Sequence, residues 1–233
     1  MKLIYASEYR MAAQNSLHKR WTEAVLTWLV AYILGGGLAS PVVEFTINFI
    51  EKGTETLSSY SIFYGLASVF GIIALAAVIL NLVLGGVIET GYARYNMKLV
   101  NGMESGIDEL FHDFNRWTTC FLMQLIRDII TTVGYSLLIF PGIIADYGFK
   151  MAPYILAEHP DYTAWQALKE SWEMMKGHKW RLFCLDFSFI GWYILAVCTC
   201  NIGFLWLNPY ENAAESIFYL ELAGDYYSRA TII

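Results

Sequence analysis

The chain alternates between long apolar runs and shorter polar segments. Three of the apolar runs contain no charged residue: Ala24–Val43, Thr56–Ile88 and Phe187–Tyr210. A helix needs about 20 largely apolar residues to cross about 30 Å of hydrocarbon. Each of the three runs is therefore long enough to predict a membrane-spanning helix.

Three further apolar stretches are interrupted by charged residues: Trp117–Phe140, Ile143–Leu156 and Glu211–Ala223. The first two are separated by Pro141-Gly142, a turn signal, so we expect them to form a hairpin. The third either spans the membrane or lies half-buried. The pattern predicts an all-α polytopic membrane helix bundle, with about six transmembrane helices arranged as three hairpins in a single integral membrane domain (1–233).

The composition agrees with this pattern. Hydrophobic residues make up 57% and charged residues 15% of the chain, and the mean hydropathy is +0.43. A soluble domain usually carries about 25% charge. The net charge of −6 argues against a nucleic-acid partner. The partner that we expect is the lipid bilayer. A membrane-protein partner or a second copy of the chain is a further possibility that the sequence does not decide.

The basic residues are distributed unevenly. Of the 15 lysines and arginines, only Lys52 lies in a predicted outer segment, and cytoplasmic loops carry the positive excess in membrane proteins. We therefore expect a cytoplasmic N-terminal arm (1–23), two cytoplasmic segments (91–116 and 158–181) and a cytoplasmic C-terminus. The arm is longer than the charged part of a typical signal peptide, so we expect the first apolar run to be retained as a helix.

Both predicted cytoplasmic segments contain a helical apolar stripe: Trp165, Leu168, Trp172 and Met175 in one, and Ile107, Leu110, Phe111 and Phe114 in the other. These amphipathic helices either lie in the headgroup plane or pack on the inner face of the bundle. Asp161 is expected to cap the start of the longer helix and Gly177 its end.

Basic residues touch a tryptophan at the start of the first, third and fifth predicted helices, in "HKRW", "NRW" and "HKWR". Tryptophan favours the membrane interface, and lysine and arginine favour cytoplasmic headgroups. We therefore predict interface anchors at these positions: Trp21, Trp117, Lys179, Trp180 and Arg181. Their recurrence supports the three-hairpin arrangement.

Charged residues inside the predicted helices form a candidate buried charge network: Arg127, Asp128, Asp146, Lys150, Asp186, Glu211 and Glu215. Charges at this depth are costly and usually face a bundle interior or a cavity. They form either structural pairs or a polar path for a solute or proton. Hairpin register predicts that Asp128 pairs with Lys150, and that Arg127 faces a carboxylate such as Glu211 or Glu215.

Recognisable catalytic patterns are missing from the sequence. It contains no nucleotide-binding loop, metalloprotease helix or nucleophile elbow. The four cysteines lack the spacing of a zinc site or redox pair. We therefore expect neither catalytic residues, nor a metal, nor a cofactor, and we do not expect an enzyme.

Residues 140–222 contain "FPGIIADYGFKMAPYILAEHP" and "SWEMMKGHKWRLFCLDFSFIGW". This stretch resembles the bacterial integral membrane protein family called domain of unknown function 975. The resemblance implies a bacterial plasma-membrane protein of about six helices and implies no activity. The function that we expect is a non-enzymatic accessory or envelope-homeostasis role. The alternative is a small permease or exporter component that uses the buried charges.

The lysine and arginine distribution gives a testable orientation. In a cysteine-free background, a cysteine replacing Thr54 should react with an impermeant thiol reagent from outside the cell. A cysteine replacing Lys169 should react only after the membrane is opened. The reverse labelling pattern would overturn the predicted orientation.

Overall fold

The structure is a computed structural model that describes residues 5–35, 37, 43–48, 50–51 and 61–230. For 61–65 and 225–230 only the backbone is described. The predicted outer segment 51–60 lies almost wholly outside the described residues, as does most of the predicted end of the first helix (38–42). The predicted start of the second helix, Thr56, lies outside them too.

The described part of the chain is all-helical. Its main elements are α1 (Ala6–Leu17), α2 (Trp21–Leu34), α3 (Ser61–Val100), the 3-10 helix η1 (Ile107–Arg116), α4 (Trp117–Leu137), α5 (Ile139–Phe149), α6 (Ala152–Glu158), α7 (Ala164–Met174), α8 (Lys179–Phe187), α9 (Ile190–Cys198) and α10 (Phe204–Ala230). A short helical segment also covers 43–48. The prediction of an all-α fold is confirmed.

The longest helix, α3, has two different halves. Its 40 residues extend about 60 Å at 1.5 Å per residue. Most apolar side chains of 66–83 are exposed, among them Ile72 and Leu75, whereas Val87, Tyr95 and Leu99 are buried in the core. The predicted end at Ile88 is therefore wrong, because the core continues to bury one side of the helix to Val100.

The first predicted helix is shorter than expected. Helix α2 has 14 residues and ends before Gly35. Near this end the Asn81 side chain donates a hydrogen bond of 2.6 Å to the Gly35 carbonyl oxygen. This bond satisfies a carbonyl group that lacks a partner where the helix stops. The predicted span Ala24–Val43 is thus not one helix in its described part.

The third predicted helix begins at Trp117 as expected, but it ends at Leu137. The predicted turn at Pro141-Gly142 is wrong, because the chain turns at the extended Leu138 and both residues lie within α5.

The fourth predicted helix is broken. Helix α5 ends at Phe149, and α6 begins at Ala152 with Pro153 in its first turn. A proline clashes with the carbonyl group four residues before it, here that of Phe149. The helix therefore stops and restarts around Lys150.

The fifth predicted helix is also wrong as a single segment. Helices α8 and α9 are followed by a reversal at 199–203, where Cys200 and Asn201 have positive φ values of 53° and 69°. Helix α10 then includes Pro209 and the whole weak sixth stretch. The sequence "NPY" at 208–210 favours a break, since an interior proline loses a hydrogen bond and clashes with the preceding turn, but α10 continues through it.

In the predicted cytoplasmic segment 91–116, two acidic residues of η1 face the protein interior. Asp113 is buried and forms an ion pair of 3.0 Å with Arg94 of α3, and Glu109 pairs with Lys98. Leu110 is buried, whereas the other three members of the predicted apolar stripe are exposed. Packing of the stripe on the bundle is therefore wrong at those three positions, because ion pairs hold η1 against α3 through its acidic residues. A position of these side chains in the headgroup plane stays a prediction.

Helix α7 packs largely as its stripe predicts. Leu168 and Met175 are fully buried, and Trp165 is exposed. Its N-cap is Thr163 rather than Asp161, because Thr163 and Gln166 exchange the two hydrogen bonds of a capping box. Gly177 follows the helix with a φ of +81°, a conformation that favours glycine.

Two described helical stretches are long and apolar enough to cross a membrane, Leu66–Val100 and Lys179–Cys198, and Trp21–Leu34 is apolar but shorter. Apolar side chains are also exposed around the α4–α5 connection, where Phe140 is 77% exposed. Six separate crossings do not emerge from the described residues.

Close packing of α3 on α4 requires glycine at Gly86, where an added methyl group would collide with the Cys120 carbonyl oxygen. We expect Gly86→Ala to lower the free energy of unfolding by about 1–3 kcal/mol, the usual cost of overpacking. Gly71 lies on the same helix with nothing within 4 Å of such a methyl group, so Gly71→Ala should be neutral or stabilising. Thermal unfolding in detergent measures both variants, and equal shifts would contradict the packing argument.

Candidate functional site

Two polar clefts meet inside the bundle. They have volumes of about 360 and 340 Å³ and share the lining residues Glu89, Tyr92 and Asn212. The first, which we call the acidic cleft, is also lined by Lys150, Glu211 and Glu215. The second, the amide cleft, is also lined by Gln124 and Arg127.

Lys150 is the centre of the acidic cleft. Its Nζ lies 2.6 Å from Glu215 Oε1 on α10 and 3.2 Å from Asp186 Oδ2 on α8. The break between α5 and α6 places Lys150 there, since it leaves this residue at the junction of the two helices. The Glu215 side chain is only 10% exposed, so the pair is largely removed from water.

Tyrosine hydroxyl groups hold the neighbouring carboxylates. Tyr147 Oη donates a hydrogen bond of 2.9 Å to Asp186 Oδ2, and Tyr193 Oη donates to Glu211 Oε2. The carboxylate oxygens of Asp186, Glu211 and Glu215 lie within 4.8 Å of one another. This spacing suits the binding of a cation, and Lys150 supplies one positive charge at that position.

The amide cleft contains a second ion pair. Arg127 forms two hydrogen bonds of 2.6 and 2.8 Å with the Glu89 carboxylate, a bidentate arrangement. The rings of Trp28 and Tyr32 on α2 stack with their centres 5.2 Å apart, and both residues line the same cleft. Gly85 lets Gln124 approach α3, because an added methyl group would lie 2.9 Å from the Gln124 amide.

The structure brings together four members of the predicted charge network: Lys150, Asp186, Glu211 and Glu215. Two others lie apart from them, since Asp146 is exposed and the Asp128 side chain is 50% exposed.

The predicted pairs are wrong. Lys150 binds Asp186 and Glu215, and Asp128 contacts its neighbour Arg127 at 3.5 Å. The main partner of Arg127 is Glu89, which sequence reasoning missed. Its signal was its position, because Glu89 directly follows the uncharged run that ends at Ile88.

The predicted anchors mark helix starts: Trp21 begins α2, Trp117 begins α4, and Lys179 begins α8. Trp117 and Trp180 are exposed, as an interface position requires. Lys179 instead covers the Trp172 ring at 3.4 Å and donates a hydrogen bond to the Ile144 carbonyl oxygen. It contributes to packing as well as to surface charge.

Arg181 is bound within the protein although its side chain is 28% exposed, and its assignment as an interface anchor stays a prediction. Its guanidinium group lies 3.1 Å from Glu221 Oε1 and donates to Tyr9 Oη. Burial and the hydrogen bond with Glu221 raise the pKa of Tyr9. The tyrosine therefore stays protonated and ties α1 to α8 and α10.

Removing Lys150 should destabilise the bundle. Lys150→Met strands two carboxylates, and breaking a buried pair typically costs about 3–5 kcal/mol. The double variant with Glu215→Gln should recover part of that loss. Asp128→Asn alone should have a small effect, and in the double variant with Lys150→Met the two losses should add. Thermal unfolding of the two single and the two double variants provides the measurement. A strong coupling between positions 128 and 150 would contradict the observed pairing.

No curated protein and no solved structure matches the chain. The family model described as "Protein of unknown function (DUF975)" matches residues 127–225. The match includes Arg127 and the clustered Lys150, Asp186, Glu211 and Glu215, whereas Glu89 lies outside it. The resemblance to the DUF975 family that the sequence predicted is thereby confirmed over residues 127–225.

Proposed function

We propose that the chain is a multi-pass integral protein of the bacterial plasma membrane with a cytoplasmic N-terminus. Exposed apolar side chains over 66–83 of α3 and along α9 support this proposal. A monomeric soluble protein rarely exposes apolar surface over so long a contiguous stretch. Lipid would cover this surface, and the basic residues would face the cytoplasm.

Within that bundle we propose that the acidic cleft binds and passes a small cation, as in a permease or exporter component. The observation that carries the proposal is the lysine-centred carboxylate cluster. Four carboxylates (Glu89, Asp186, Glu211 and Glu215) accompany two cationic side chains (Arg127 and Lys150), which leaves two excess negative charges when all are ionised. Intramembrane carboxylates that face a cavity commonly mark ion or proton paths.

The proposed path is non-enzymatic. The charged groups of the cleft are already engaged with one another and with tyrosine hydroxyls, for example Lys150 with Glu215 and Glu211 with Tyr193. Such an arrangement stabilises positive charge. It does not leave an activated nucleophile next to a base, which covalent catalysis requires.

Flux through reconstituted vesicles tests the transport role. Vesicles that contain the full chain should dissipate an imposed gradient of K⁺, Na⁺ or an organic amine faster than protein-free vesicles. Glu211→Gln should reduce that flux nearly to the protein-free rate, because it removes a carboxylate that lines the cleft. Asp146→Asn is the matched control, since Asp146 is exposed, and should leave the flux unchanged. Equal rates with and without protein, or equal losses in both variants, would contradict transport.

A second candidate is an accessory or envelope-homeostasis role through protein contacts. The apolar half of α3 favours it, because Phe70 contacts Phe45 but most neighbouring side chains on that half are exposed. Such a helix surface can pack against a partner helix in the membrane. A stable membrane partner that co-purifies with the wild type, together with an absence of flux, would favour this role over transport.

A further inference from the structure

The two clefts form one elongated space. They share Glu89, Tyr92 and Asn212, and the lining of α3 extends from Asn81 in the amide cleft to Ala93 in the acidic cleft. Twelve residues of helix correspond to about 18 Å along its axis. A ligand that fills both clefts is therefore long and narrow.

Three buried side-chain atoms of the described part, in this space or next to it, lack a hydrogen-bond partner. Tyr92 Oη lies where the clefts meet, Gln124 Oε1 lies in the amide cleft, and Asp186 Oδ1 lies behind Lys150, beside the acidic cleft. Gln124 Oε1 belongs to a residue that is 7% exposed and lines the amide cleft. Asp186 Oδ1 belongs to the carboxylate cluster around Lys150. Buried polar atoms in native proteins nearly always have partners. Gln124 Oε1 requires an N–H or O–H donor, and the Glu211 and Glu215 carboxylates that line the acidic cleft accept further donors. A suitable ligand therefore carries donors at both of its ends.

The charge and surface of the clefts narrow the class of ligand. The excess of carboxylates favours a cation and opposes an anion. Trp28, Tyr32 and Tyr92 offer aromatic faces, which bind ammonium groups and methylene chains. A metal ion fits less well, because the Lys150 ammonium group already lies among the carboxylates that would ligate it.

Lys150 itself shows how an alkylammonium group is held. Its Nζ ends a methylene chain and lies between Glu215 and Asp186. Its Nζ also lies 5.8 Å from the centre of the Tyr147 ring. An external primary amine would make the same kinds of contact with the remaining acceptors.

We infer that the joined clefts bind a linear aliphatic polyamine, with one amine near the carboxylate cluster and another donating to Gln124. This inference rests on the proposed cation path and names its substrate class. The flexible chain between the amines would lie along Tyr92 and Glu89, where the clefts meet.

Calorimetric titration of the purified full chain in detergent with spermidine tests the inference. The wild type should bind spermidine and should bind octanediol, a neutral chain of comparable length, far more weakly. Gln124→Leu should weaken spermidine binding about tenfold, the usual effect of losing one hydrogen bond to a charged group. Gln14→Leu makes the same chemical change at an exposed residue outside both clefts and should leave affinity unchanged.

Gln124→Glu provides a second variant in case the leucine disturbs folding, and its added charge should tighten spermidine binding. Unchanged affinity in both Gln124 variants would overturn the inference. A wild type that binds no spermidine but carries a K⁺ or Na⁺ flux that depends on Glu211 would also overturn it. That result would support the proposed cation path without a polyamine substrate. Absence of both binding and flux would overturn the inference and the proposed transport role together.

Discussion

The interaction on which the interior depends is the contact of Lys150 with two carboxylates from different helices. Its ammonium group lies between Asp186 of α8 and Glu215 of α10. Burying any of these charges alone would cost several kcal/mol, so each requires the others. The three groups consequently fix the relative positions of the α5–α6 junction, α8 and α10. They also determine where the acidic cleft lies.

Other local features build the rest of the cleft around this contact. The reversal at 199–203 folds α9 back on α10, which brings Tyr193 to Glu211. Glycines on α3 allow α4 to approach closely, and Arg127 then reaches Glu89. The cleft is thus lined by charged and tyrosine side chains, whereas much of the outer surface is apolar. We associate this inside-out distribution of polarity with the proposed membrane location.

Sequence reasoning identified the helical class, the start of α4 at Trp117 and four clustered members of the charge network. These features depend on local signals: apolar runs, basic residues beside tryptophan, and charges within apolar stretches. The reversal at Cys200 and Asn201 has a weaker signal, because Asn201 and Gly203 favour a turn but lie in a run that is uncharged throughout. The partner choice of Lys150 depends on tertiary packing, since Asp186 and Glu215 are distant in sequence. The break between α5 and α6, in contrast, has a sequence signal in Pro153.

An electron cryomicroscopy map of the full chain in a lipid nanodisc tests the central claim most directly. The account predicts continuous density from Lys150 to the Asp186 and Glu215 side chains in the bundle interior. It also predicts that lipid surrounds the exposed apolar half of α3. A map in which Lys150 reaches the headgroups, or pairs with Asp128, would contradict the account. So would one in which residues 66–83 lie in water outside the nanodisc.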